Sequence, residues 1–552
     1  MRLLSLIFAP RNSALLASIL LFCATLVAMA RYPENSLLLA IPLVLFGGLA
    51  TIGIGDLVQK RHSVLRNYPI LAHLRFILEE IRPEIRQYFF ESETDGTPFT
   101  RDRRALVYQR AKMQLDKRPF GTQLPVYADG FEWLLHSLAP RPLAREPFRI
   151  VIGGPDCAQP YLASVLNISA MSFGALSANA IRALNSGARR GGFAHDTGEG
   201  GFSPYHAEKG GDIIWEIGSG YFGCRTPEGV FSPEKFAAAA KNPQIKMIEI
   251  KLSQGAKPGH GGVLPGAKVT AEIAAIRGVT QGEDCISPPG HSAFRTPLEL
   301  MAFIKQLREL SGGKPTGFKL CIGQPVEFLA ICKAMLETGI TPDFIVIDGK
   351  EGGTGAAPLE FMDHIGAPLR DGLSFVHNAL IGVGLRERVK LGASGKILTA
   401  FDMARAMALG ADWCNSARGF MFSLGCIQSL ACHTDACPTG VATQDPNRAR
   451  AIVVPDKAER VYNFHRATLH SLAELTAAAG LDHPNEFTPE QFRRRVSEKG
   501  VLSFEELFPT IAEGELLSGA SDARLRAAWD SASAKQFSPS HRARGAMCEV
   551  SA

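Results

Sequence analysis

The stretch TGFKLCIGQPVEFLAICKAMLETGITPDFIVIDG, residues 316–349, holds two short β-rich runs, TGFKLCI and FIVIDG, separated by a helical stretch. A strand followed by a helix and a second strand reads as a βα unit feeding a parallel neighbour, because parallel strands need a crossover and that crossover is usually a helix. The alternation continues on both sides. LNISA (166–170), GFAHDT (192–197), MIEIKLS (247–253) and DCIS (284–287) precede it, and VKLGASG (389–395) and WCNSAR (413–418) follow. Eight candidate strands within about 250 residues predict an α/β fold of the TIM (β/α)8 barrel type. A doubly wound sheet is the alternative. It needs a G-x-G-x-x-G turn directly after the first strand, and none follows LNISA.

The first sixty residues read differently. SALLASILLFCATLVAMA (13–30) and SLLLAIPLVLFGGLATIGIG (36–55) carry no charged residue, and each is long enough to cross about 30 Å of hydrocarbon. RYPEN (31–35) is a polar turn, so residues 1–60 are expected to form a transmembrane helical hairpin. Arg2 and Arg11 precede the first span, and Lys60, Arg61 and Arg66 follow the second, whereas the turn carries Arg31 offset by Glu34. This charge bias puts both ends, and everything after residue 60, on the cytoplasmic side of the inner membrane, as a multi-pass protein. Arg2, an apolar core and Ala28-Met29-Ala30 also fit a signal peptide with its cleavage site. A second span five residues later would hold the chain in the membrane in either case.

Residues 61–160 are charged and rich in helix formers, as in LRFILEEIRPEIRQYFF (74–90) and RRALVYQRAKMQL (103–115), and predict a helical linker. The barrel is assigned to 161–455. A helical region follows, with LHSLAELTAAAGL at 469–481, and a Ser-, Ala- and Arg-rich tail from about 518 to 552 is expected to be loosely ordered. The apolar fraction of 46% can fill a large core. A net charge of +5 without a basic stripe bearing interleaved aromatics argues against nucleic acid as a partner. Eleven cysteines in 552 residues indicate reduced thiols rather than a disulfide framework.

Three of those cysteines, Cys426, Cys432 and Cys437, sit in GCIQSLACHTDACPTGVATQDP (425–446) with the spacing C-x5-C-x4-C. Three thiolates are one short of the usual four cluster ligands, and suit a three-iron cluster in which each cysteine takes one iron. Zinc prefers closer C-x2-4-C pairs, and a disulfide needs an even count and an oxidising compartment. Inert buried cysteines are the plain alternative, since free Cys is commonly a small core hydrophobe. Elsewhere, Ser394 and Gly395 end the seventh candidate strand and Ala417 and Arg418 follow the eighth, where TIM barrels often hold phosphate. Gly352, Gly353, Thr354 and Gly355 follow the sixth; such glycines can cradle a phosphate or merely make tight turns. Lys251 and Lys319 lie inside apolar strands, a costly placement unless each meets an anion.

MSFGALS (171–177), TGEGG (197–201), KLSQGAKPG (251–259), SPPGH (287–291), GGTGAAPL (352–359) and the cysteine run with its GVATQDP (440–446) each resemble, in the same order, a segment of the FMN domain of the glutamate synthase large subunit. The resemblance covers roughly residues 165–447. It implies an FMN-binding barrel with a three-iron, four-sulfur (3Fe-4S) cluster on Cys426, Cys432 and Cys437. It implies flavin contacts from Met171, Ser172, Gly352, Gly353, Thr354, Gly355, Ser394, Gly395, Ala417 and Arg418, with Lys319 near the N1–C2=O edge of the reduced flavin. Lys251, Gln254 and Lys257 would hold the carboxylates of 2-oxoglutarate. Glu199 would take a proton where ammonia meets the 2-oxoacid, and His291 would be a polar neighbour of the substrate. The ordinary alternatives are a solvated loop lysine at 257, a turn acid at 199 and a core histidine at 291.

Departures from the family accompany these likenesses. The sequence is expected to lack the amidotransferase part, with its catalytic cysteine, and the C-terminal β-helical part. NADPH is not expected to bind this chain directly. His260 stands where the family has an acid, and Ser292 where it has a second histidine. The expected activity is reduction of 2-iminoglutarate, formed from 2-oxoglutarate and ammonia, to L-glutamate. Electrons would come through the cluster from a separate donor: ferredoxin, a partner subunit or the membrane pool. The runner-up is a related amino-acid oxidoreductase acting on N-substituted glutamate; a membrane-tethered flavoprotein sensing redox state or 2-oxoglutarate is the non-enzymatic reading.

Overall fold

The computed structural model describes residues 10–519 and 522–538; Arg2, used above for orientation, lies outside them. The chain divides into two compact units, Met1–Arg101 and Asp102–Ala552. In the first, helices Ser13–Arg31 and Ser36–Val58 are joined by a turn over Pro33–Asn35. Both are long and apolar enough to cross a membrane. They leave Leu20, Val27, Leu37, Ile41 and Val44 exposed, which water would penalise and hydrocarbon would not. Asp56, near the end of the second helix, accepts from the Ile70 amide at 3.0 Å and meets His73 Nε2 at 3.0 Å, tying the chain that leaves the hairpin. A helix over Leu71–Ile85 follows, as the 74–90 pattern predicts.

The second unit is built on a closed barrel of eight parallel strands: β1 (Leu166–Ile168), β2 (His195–Asp196), β3 (Ile213–Ile217), β4 (Ile245–Lys251), β5 (Thr316–Leu320), β6 (Phe344–Asp348), β7 (Lys390–Ser394) and β8 (Trp413–Ser416). Neighbours in sequence are neighbours in space, and β8 closes onto β1 through Cys414↔Leu166 and Ser416↔Ile168. The predicted fold and strand number hold, but one strand identity does not. DCIS is no barrel strand: Cys285–Ile286 pairs antiparallel with Val263–Leu264 in a two-stranded excursion between β4 and β5. Its place is taken by IIWEI, all five residues buried. Lys251 therefore sits on the fourth strand rather than the third.

Crossover helices follow ordinary sequence rules. Ser177 caps Ala178–Gly191, which stops at Gly192 with φ 60°, and Thr296 with Glu299 forms a capping box on Pro297–Leu310. After β8 a 25-residue helix, Val454–Ala478, packs on Ala178–Gly191. Its close approach requires Gly187, where a Cβ would stand 2.5 Å from Val461 Cγ1. Contrary to the expected helical region, the segment after that helix contains strands: Phe492–Arg495 pairs with both Val501–Ser503 and Glu132–Leu134. Nor is all of the tail loose. Ala523–Ser531 is a helix whose Trp529 lies under Lys333, 4.8 Å from Nζ to the ring centre, and Leu298 N donates to Ala534 O at 3.1 Å.

Candidate active site

The loops at the C-terminal ends of the barrel strands form a cavity that opens to solvent. Met171 and Ser172 after β1 line it, with Glu199 after β2, Lys251 at the end of β4, Gln254 and Lys257 beyond, Gly353, Thr354 and Gly355 after β6, and Ala417 and Arg418 after β8. Residues drawn from motifs nearly 250 positions apart thus meet in one space. Of Cys426, Cys432 and Cys437, Cys432 reaches its wall. Gly352, Ser394, Gly395, His291, Lys319, Cys426 and Cys437 do not line it.

Glu199 anchors one side. Lys251 Nζ lies 3.1 Å from its Oε1 and Ser287 Oγ donates to Oε2 at 3.1 Å. A Cβ at position 262 would stand 1.8 Å from Oε1, so only glycine leaves room for this carboxylate. Burial alone would raise the carboxyl. The ion pair and hydrogen bond with Lys251, and the charges of Arg277 and Lys257, outweigh it and hold Glu199 below the ordinary range. Lys257 is 2% exposed, which removes the solvated-loop alternative, and burial brings its ammonium down to about 8 against the opposing pull of Glu199. His291 sits behind Lys251. Its Nε2 meets the Lys251 carbonyl at 2.9 Å and its Nδ1 the Tyr221 hydroxyl at 3.1 Å. Since a carbonyl only accepts, Nε2 carries the proton and Tyr221 donates to Nδ1. Burial keeps this ring neutral, with its pKa pushed down to about 4.

Lys319 lies inside the barrel, 3% exposed. Its ammonium pairs with Glu216, with Glu249 at 2.8 Å and with Asp196 at 3.7 Å. Only Glu216 of these four lines the cavity. The three carboxylates offer oxygens within 4.8 Å of one another, as a metal site would, but the Lys319 ammonium already supplies the cation. At the phosphate-type end, Arg418 Nη2 donates to Thr354 O at 2.9 Å, joining the β6 and β8 loops. Ser394 Oγ meets Ser169 Oγ at 3.3 Å, and Gly395 has φ 151°.

In the cysteine run Gln428, Leu430 and Asp435 all take positive φ, at 59°, 58° and 61°, a strained winding of the kind stored at functional loops. Tyr108 donates to Cys426 O at 2.6 Å, Thr443 to Asp435 O at 2.6 Å, and Gln444 Nε2 to Gly174 O and Leu176 O at 3.0 and 2.9 Å. No disulfide occurs among the described residues. The three sulfurs also do not converge on a single point: among the described residues, the one set of metal-type donor atoms lying within 4.8 Å of each other is the carboxylate trio.

Sequence reasoning missed four groups at the site. Arg277, at the end of the helix Ala271–Arg277, donates through Nη2 to Ser172 Oγ at 3.3 Å and Phe173 O at 3.1 Å; its helix carries no signal beyond amphipathicity. Ser287 lay in a quoted motif without a role. Glu216 could have been found by the argument used for Lys319, a charge in an apolar strand. Lys268 gave no signal at all.

A family profile described as a conserved region in glutamate synthase matches residues 147–482. The chain is 38% identical to the glutamate synthase large subunit-like protein YerD of Bacillus subtilis (strain 168) over 511 residues, 85% of this chain and 96% of that one. It is 36% identical over 316 residues to an archaeal glutamate synthase [NADPH] of Methanocaldococcus jannaschii, covering 57% of this chain and 59% of the relative. Against the glutamate synthase [NADPH] large chain of Bacillus subtilis the identity is 37% over 320 residues, 56% of this chain but 20% of that far longer one.

Proposed function

This chain belongs to the glutamate synthase family and is a glutamate synthase-like oxidoreductase, and on that premise we propose that it performs the reductive half of the family's chemistry, joining ammonia to 2-oxoglutarate and reducing the resulting imine to L-glutamate. The observation that carries this reading is the charge of the cavity. Lys251, Lys257, Lys268, Arg277 and Arg418 line it against Glu199 and Glu216 alone, five cations to two carboxylates. Such a wall favours ligands with several negative charges, as a dicarboxylate and a flavin phosphate are.

FMN, when bound, would supply the hydride, and a 3Fe-4S cluster held by Cys426, Cys432 and Cys437 would supply single electrons from a separate donor: ferredoxin, a partner subunit or the membrane pool. The residues present fit both groups. Gly353 and Gly355 offer open backbone beside Arg418 for a phosphate, a would-be Cβ at Gly355 meeting nothing within 4 Å. At Cys437, burial raises the thiol, but Thr439 and the Ala442 and Val441 amides outweigh it and hold the pKa below its ordinary value, whereas burial pushes the Cys426 thiol up to about 11. Lys251 and Lys257 bind the two carboxylates of the 2-oxoacid, with Gln254 as a further donor. Glu199, ionised beside Lys251, accepts a proton from ammonium so that neutral ammonia can attack the keto carbon. His291 holds the Lys251 backbone in place. The apolar helices Ser13–Arg31 and Ser36–Val58 anchor the enzyme as a membrane hairpin with the barrel on the cytoplasmic side. The test is anaerobic: protein reduced with dithionite is mixed with 2-oxoglutarate, with ammonia, and with both. Flavin reoxidation only with both substrates supports the reading, and no reoxidation with both refutes it.

A further inference from the structure

We propose that Lys268 sets the electron affinity of the cysteine-bound cluster by placing a buried positive charge against the cluster loop. This rests on the reading of Cys426, Cys432 and Cys437 as cluster ligands. Lys268 belongs to a short turn, Gly266–Lys268, in the segment between β4 and β5, and is 2% exposed. An ammonium has three protons to donate. Lys268 gives them to three carbonyls: Ala175 at 2.9 Å, Ala442 at 3.0 Å and Cys432 at 3.3 Å. Ala175 lies in the loop after β1, beside the cavity, and the other two lie in the cysteine run. One side chain thus fastens the cluster loop to the cavity wall, which Lys268 and Cys432 both line.

Hydrogen bonding alone does not account for a lysine here. A neutral amide would serve these carbonyls without the cost of burying a charge. That cost is offset only where anions stand close. Lys268 Nζ sits on the backbone of the cluster loop, at Cys432 O and Ala442 O, so its charge faces the loop whose cysteine thiolates would hold the cluster. A cluster on those thiolates gains one further negative charge when it is reduced. A fixed cation beside it stabilises the reduced form over the oxidised one and raises the reduction potential. The fold does not depend on Lys268 alone for the tether. Gln444 makes a parallel tie to the same loop through Gly174 and Leu176, so the charge can be removed while the loop stays attached.

The experiment is a redox titration followed by EPR, with iron content measured alongside, on the full-length protein in detergent. Lys268→Gln keeps hydrogen-bonding capacity without charge, Lys268→Met removes both, and Lys268→Arg keeps the charge. The neutral variants are expected to retain iron and to be harder to reduce by about tenfold in the equilibrium, a fall of about 59 mV for one electron, with Lys268→Arg close to the unmodified protein. An unshifted potential in either iron-containing neutral variant overturns the proposal. Should both neutral variants lose iron, retention in Lys268→Arg upholds the role of charge, and loss there as well overturns it. Absence of iron and of a three-iron signal from the unmodified protein would instead sink the underlying cluster reading, and is distinct from an unshifted potential.

Discussion

Replacing Lys251 with methionine keeps the length of the side chain and removes its charge, with two separable consequences. The first concerns Glu199. At 3.1 Å and an effective dielectric of about 20, the pair's attraction is about 5 kcal/mol, and Lys251 is the strongest influence opposing burial at this carboxylate. Without it burial prevails, and the Glu199 pKa rises above the ordinary carboxylate range. A base works only when deprotonated, so activity is lost as pH falls through that pKa, and in the variant the loss begins at higher pH. The second consequence concerns the substrate. A charge-assisted hydrogen bond to a carboxylate contributes about 1.5–3 kcal/mol, so 2-oxoglutarate should bind about 10- to 150-fold more weakly. Titrating the oxidised protein with 2-oxoglutarate and following the flavin absorbance gives the affinity. An unchanged flavin-to-protein ratio, expected because Lys251 ends β4 whereas Gly353–Gly355 and Arg418 follow β6 and β8, shows that the site is intact. An affinity within twofold of the unmodified protein, with FMN retained, would refute the reasoning.

Gly262→Ala pushes a methyl against Glu199 Oε1; turnover should drop by about two orders of magnitude, the usual scale for losing a positioned general base, with flavin content unchanged, and near-normal turnover would show that Glu199 is not needed. Lys257 titrates near 8 and is charged below that value, so 2-oxoglutarate affinity should weaken as pH rises from 7 to 9; Lys257→Arg should flatten the dependence, and a flat profile in the unmodified protein would remove Lys257 from the substrate site. Lys319→Met leaves Glu216, Glu249 and Asp196 without their cation, a loss of about 3–5 kcal/mol for a broken buried pair. Its urea midpoint should fall, and should recover as pH is lowered, because in the variant the carboxyls have folded pKa values above their unfolded ones and are stabilising only while protonated. An unchanged midpoint at pH 8 would contradict the ion pairs described.

What the sequence disclosed and what it hid divide along range. The spacing of Cys426, Cys432 and Cys437 is local, on one loop, and is legible at once as a proposed ligand set. Of the glycine-rich strand ends, Gly353 and Gly355 after β6 and Arg418 after β8 line the cavity as expected, and Ser394 and Gly395 at the end of β7 do not. The third strand was not legible. IIWEI carries Glu216 in the middle of a buried run, and an acid there is tolerable only because Lys319 reaches it from 103 positions away. DCIS, flanked by turn residues, looked the better strand because nothing local reveals that Cys285–Ile286 turns back on Val263–Leu264. The part taken by Lys319 was hidden by the same long-range pairing. A lysine in an apolar strand announces an anion, but not whether that anion is a ligand or three carboxylates of the same barrel.

That pairing bears on how the cavity selects its ligand. The barrel interior holds Asp196, Glu216, Glu249 and Asp348 with Lys319. Four ionised carboxylates against one ammonium would leave three buried negative charges, far more than a dry interior tolerates. Accordingly burial raises the pKa of Asp196, Glu249 and Asp348 despite the pull of Lys319, so part of the group is protonated near neutrality. Glu216, which lines the cavity, is paired with Lys319 directly. The interior therefore offers an approaching anion no free cation, while Lys251, Lys257, Arg277 and Arg418 on the surrounding loops and strand ends do. An anionic group is held at the loops and its uncharged end is left to face the barrel.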